Sequence, residues 1–269
     1  MIQRATKLFK WNLLTYRKQY LGFLGLTFLA LMVGYFFLTY GFSKYEDREW
    51  AESLLMSNCT AVAWFVAAFV AILAPTLTFC NMNTKESRMT FLSLPASNIE
   101  KFLVRYVGGT LIYYVGALIV FILASTLFWG FTYLIGSNLH VNPAIVLMRL
   151  PFYTEMGELT PIQGVEATVM VYLIALLIHA SLLFFGTLFR KMSWIFSPAA
   201  VLLLVLFVSY HVATAVETHL SLYEDLMLTD WFLGAVDVVL LLAVALVYWL
   251  AYRLFCRIQL VPRYRFFNI

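Results

Sequence analysis

Along the chain, long apolar runs are separated by shorter stretches of mixed polarity. An α-helix needs roughly 20 apolar residues to cross a bilayer, and six stretches qualify, at about 20–42, 57–80, 106–134, 167–189, 194–216 and 232–254. The third is long enough to tilt or to project beyond the lipid. Residues 1–19 place Ala5, Leu8, Phe9, Leu13, Tyr16 and Tyr20 at spacings of three and four, with basic residues between them. That pattern predicts a basic amphipathic helix lying in the membrane interface ahead of the first span.

Composition supports a membrane protein. Of 269 residues, 63% are hydrophobic and only 12% charged, and the mean hydropathy is +0.86; an ordinary soluble domain is about 45–50% apolar and about 25% charged. The expected fold class is an all-α membrane protein with six transmembrane helices, organised as a single transmembrane domain over 1–269.

Cytoplasmic loops carry the excess of Lys and Arg. Residues 1–19 hold five basic residues and no acid, and the 81–105 loop holds Lys85, Arg88, Lys101 and Arg105 against Glu86 and Glu100. The 190–193 turn and the tail from 253 add six more basic residues. The intervening loops, 43–56, 137–166 and 217–231, are acidic on balance, so that 15 of 18 basic residues fall on alternate loops. Both termini are therefore expected in the cytoplasm, and the net charge of +4 follows from topology rather than from nucleic-acid binding. The first run is longer than the h-region of a signal peptide, roughly 7–15 residues, and is expected to remain as a span. The 137–166 loop, broken by Pro143, Pro151 and Pro161, is expected to form a lid with a short interfacial helix near 144–150.

Catalytic motifs are missing. The sequence contains no GxxxxGK[ST], HExxH or GxSxG, so no catalytic residue is assigned and no phosphate-cradling loop is present. Cys59, Cys80 and Cys256 show no CxxC spacing, and no metal or disulfide site is assigned. His179 and His211 fall inside the fourth and fifth spans without a second ligand at i+3 or i+4, which reads as helix-to-helix hydrogen bonding, with metal binding or a proton relay as the alternative, His179 foremost. Asp237 falls near the outer end of the last span. The midplane is nearly free of the acids that an ion-driven carrier would use.

The 83–106 stretch, NTKESRMTFLSLPASNIEKFLVRY, holds two helix starts. Asn83 with Glu86, and Ser97 with Glu100, have the spacing of reciprocal N-caps, and Pro95 ends the first helix by forcing its predecessor out of the α region. The expectation is a helix from about Thr84 to Leu94, a break, and a second helix running through Phe102 into the third span.

This stretch resembles the loop between the second and third spans of ABC-2 type transporter permeases. The resemblance rests on Glu86, the FLSLPAS segment at 91–97 and EKFLVR at 100–105, within a six-span plan with cytoplasmic ends. It implies a membrane subunit of an ABC exporter in the bacterial inner membrane, pairing with a second permease copy, identical or not. Thr84, Lys85, Glu86, Arg88, Met89 and Phe91 would couple to a separate ABC ATPase subunit carrying ATP and Mg, with no cofactor on this chain. The resemblance also places a translocation path along the second and fifth spans, near Trp64, Phe65, Phe69, Ser209 and Tyr210. Its 217–231 loop is short for the re-entrant hairpin of some family members. The alternative is a non-transporting anchor or sensor subunit whose loop binds a cytoplasmic partner.

Overall fold

In the computed structural model the described residues are 2–79, 85–134, 139–145, 161–189, 192–218 and 230–260. They are helical almost throughout: α1 (Ile2–Phe42), α2 (Arg48–Leu77), α3 (Lys85–Leu92), α4 (Asn98–Tyr106), a π-helical turn (Val107–Leu111), α5 (Ile112–Leu134), α6 (Pro161–Leu188), α7 (Ser193–Thr218) and α8 (Asp230–Leu260). Six helical stretches are long and apolar enough to cross a membrane. They match the six predicted runs, because a backbone in hydrocarbon must satisfy its own hydrogen bonds and a helix does so within one segment.

One feature differs from expectation, and another lies mostly outside the described residues. Residues 2–42 form one helix of 41 residues, about 62 Å long at 1.5 Å per residue, so the amphipathic segment continues directly into the first span without forming a separate element. Of the predicted 144–150 helix, only a single tight turn at 143–145 falls within the described residues. There the Asn142 side chain accepts the Ala144 amide at 3.0 Å.

The helix ends follow local chemistry. Asp47 caps α2 by accepting the Trp50 amide at 3.1 Å, and α6 opens on Pro161, a residue suited to the first helical position because its missing N–H has no partner there anyway.

The residues divide into two compact units, one comprising 1–74 with 104–150, the other 75–103 with 151–269. In the first, Leu31, Tyr35, Leu55, Cys59, Ala124 and Phe128 form a buried core joined by Leu139 and Val141 from the following loop. That loop is tied down by His140, which stacks on Tyr133 with ring centroids 3.9 Å apart and donates its backbone amide to Glu52 at 3.3 Å. Pro75 cannot donate to the carbonyl of Ala71, and the Tyr114 hydroxyl donates to that carbonyl instead, at 3.2 Å.

In the second unit, α6 packs most extensively against α8. Gly186 makes a close approach possible: a Cβ there would lie 3.1 Å from the backbone of Thr76.

Candidate functional site

The loop between the second and third spans lies largely in the second unit, and the structure gives it the expected form of helix, break and helix. After α3, Ser93 and Leu94 still donate to Met89 and Phe91 carbonyls, and Pro95 then interrupts the ladder. The second start is a reciprocal capping box: the Ser97 amide donates to Glu100 Oε2 at 2.9 Å and the Glu100 amide donates to Ser97 Oγ at 3.3 Å. Two amides that no helical carbonyl can reach are thereby satisfied.

What holds α3 in place is an aromatic cluster. Phe255 of α8 is fully buried, with ring centroids 5.4 Å from Phe79, 6.4 Å from Phe91 and 5.5 Å from Phe102. Phe79 also stacks on Phe102 at 5.7 Å, and Tyr252 meets Phe102 edge-on at 5.5 Å. Such pairs contribute about 0.5–1.5 kcal/mol each beyond their buried area. The cluster therefore pins the loop helix to the start of α4 and to the last long helix.

The predicted loop residues separate into two roles. Phe91 is 0% exposed and serves as the anchor, while Met89 is 54% exposed and Glu86 and Thr90 are exposed beside it. Thr84 lies outside the described residues, as do the side chains of Lys85 and Arg88. Glu86, Met89 and Thr90 thus form the exposed side of a short helix whose Phe91 is packed inward.

The predicted path residues are exposed: Trp64, Phe65 and Phe69 on α2 and Tyr210 on α7, with Ser209 beside it. Trp64 lines a cavity of about 270 Å3 in the first unit, walled by α1, α2 and α5. Its lining includes the small-residue series Ala63, Ala67 and Ala71.

Sequence reasoning missed a polar cluster in the first unit. Arg105 is 2% exposed; its guanidinium donates to the Tyr16 hydroxyl at 2.6 Å and lies 4.1 Å from that ring's centroid. One turn on, the π-helical turn brings Gly108 against Asn12, so closely that a Cβ would collide with the Asn12 amide nitrogen. Asn12 is fully buried and donates to the Tyr20 hydroxyl at 3.2 Å. The available signal was the Gly108–Gly109 pair just inside the third span, since π-turns and glycine pairs mark irregular helix.

His179 bonds to the Tyr248 hydroxyl at 2.8 Å, joining α6 to α8. His211 is exposed and touches the rings of Phe207 and Tyr210. Asp237 is half-buried on α8, and Glu166 of α6 faces the same helix, 3.5 Å from where a Gly234 Cβ would stand. Among the described residues no three His, Cys, Asp or Glu side chains are grouped as a metal site would require.

The fold and this loop define a class: an all-helical, multi-pass membrane protein with a short, aromatically anchored helix between its second and third spans. The chain matches no protein-family model, no curated protein and no solved structure.

Proposed function

We propose that the chain is the transmembrane subunit of an ATP-driven, ABC-2 type exporter of the bacterial inner membrane, with both termini in the cytoplasm. A separate ATPase subunit, holding ATP and Mg, docks on α3, and a second permease completes the assembly. The observation that carries this reading is the combination of an exposed α3 face, Glu86, Met89 and Thr90, with a buried aromatic anchor on Phe255. A helix that only connected two spans would need neither. A lever needs both, because force applied to the exposed face reaches α4 and α8 through packed rings that cannot deform independently.

Pairing with a second permease is supported by α7. Every residue from Leu202 to Ala213 is exposed, about three full turns, and the stretch includes Ser209 and His211. Polar side chains in a span are costly in lipid and are normally turned toward protein or water.

The test is co-expression of the tagged chain with its genomic neighbours, detergent extraction, and measurement of co-purified ATPase activity. Wild type is expected to retain an ATPase subunit. Met89→Asp is expected to lose it, and Glu86→Ala to retain the subunit with reduced turnover; both substitutions leave the Phe91 packing intact. A wild-type protein that retains no ATPase overturns the reading, and a partner retained without any turnover would make the chain an anchor.

A further inference from the structure

The first five turns of α1 have two faces of opposite character. Leu8, Asn12 and Tyr20 are buried, with Tyr16 half-buried between them, and this row is bound to the rest of its unit through Arg105 and Gly108. At 3.6 residues per turn, Lys7, Lys10, Leu14, Arg17, Lys18 and Leu21 fall within an arc of roughly 100° centred on the opposite side. All six are exposed. None of the four cations has an ion-pair partner among the described residues, and no acid occurs in the chain before Glu46.

We propose that this stripe is a docking surface for anionic phospholipid headgroups of the leaflet on the N-terminal side of α1. Charge complementarity requires an anion along the helix. The two exposed leucines within the stripe, with Leu13 exposed beside it, argue against open water and against nucleic acid, and for the headgroup zone, where an apolar stem and a cation are accommodated together. Because α1 runs unbroken into its span, Arg17 and Lys18 enter that zone first, with Lys10 and Lys7 following along the same face. The buried row prevents the helix from rolling, so the cations stay directed away from the protein. The inference is independent of the exporter reading and holds for an anchor equally well.

The test is native mass spectrometry of the full chain in mild detergent, titrated with phosphatidylglycerol or phosphatidylcholine of matched acyl chains. Wild type is expected to favour phosphatidylglycerol, and the preference should fall as salt rises. The variant carrying Lys7→Gln, Lys10→Gln, Arg17→Gln and Lys18→Gln is expected to bind phosphatidylglycerol at least about tenfold more weakly, since each cation near a charged surface contributes several-fold. Gln keeps the helix propensity. The charge-preserving set Lys7→Arg, Lys10→Arg, Arg17→Lys and Lys18→Arg should bind as wild type does. If the fourfold variant does not accumulate, Lys7→Gln with Lys10→Gln is used, with a smaller loss expected. Equal affinity of wild type for the two lipids overturns the proposal. So does a preference that survives the Gln substitutions, or loss of a co-purifying acidic protein with the lipid preference unchanged.

Discussion

Asn12 and Gly108 meet in a space with no room for one more carbon. Gly108→Ala should therefore be destabilising by about 1–3 kcal/mol, the usual cost of overpacking. Asn12→Gly on the same chain should recover part of that loss by opening the space the methyl group needs. A double-mutant cycle on thermal unfolding in detergent checks this; additive losses would mean that the two residues do not oppose one another. At this scale the sequence was informative about chemistry and silent about direction. Met89 and Phe91 stand two positions apart on one short helix, and only packing decided that Phe91 turns inward to Phe255 while Met89 turns out.

The helix start at Ser97 was the most legible element, because a cap is a local event; the other predicted cap, Asn83, lies outside the described residues. Ser97 and Glu100 interact across three residues whatever the rest of the chain does. The π-helical turn was not legible, since an extra residue in a turn is tolerated only where a neighbouring helix rewards it. Here the reward is the fit of Gly108 against Asn12 and Tyr20. The position of α3 depends on a residue more than 150 positions away in sequence: Phe255 contacts Phe79, Phe91 and Phe102. Phe255→Ala should cost about 3–5 kcal/mol. It should also raise hydrogen exchange of the α3 amides well before the spans respond. Hydrogen-exchange mass spectrometry reads both, and unchanged protection of residues 86–94 would remove the anchor role. Conversely, α1 is longer than its pattern suggested: periodicity marked an interfacial segment, but nothing in residues 1–42 breaks a helix.

For the whole molecule, six spans followed from apolar length alone, while the distribution of protein contacts did not. Helices α6 and α7 are built from similarly apolar residues, yet α6 buries Ala180, Ser181, Leu182 and Leu183 in succession, whereas α7 is exposed on every face from Leu202 to Ala213. If a second permease covers α7, Ser209→Cys, with Cys59, Cys80 and Cys256 replaced by alanine, should form a disulfide-linked dimer on oxidation in native membranes. A cysteine at the exposed end of α5, Leu134→Cys, should remain monomeric. Equal crosslinking of the two, or none, would remove α7 as a subunit interface.

The number and positions of the long apolar helices, the cap at Ser97 and the alternation of charge were determined by the sequence itself, because each rests on a local property: apolar length, a side chain within three residues of an amide, or the sign of a loop. Which face of α3 is presented, how Arg105 is buried against Tyr16, and why Gly108 must lack a side chain were decided only by the tertiary structure. Within a bilayer a surface-facing apolar residue and a core apolar residue are chemically alike, so hydrophobicity no longer reports direction, and only close packing between particular helices does.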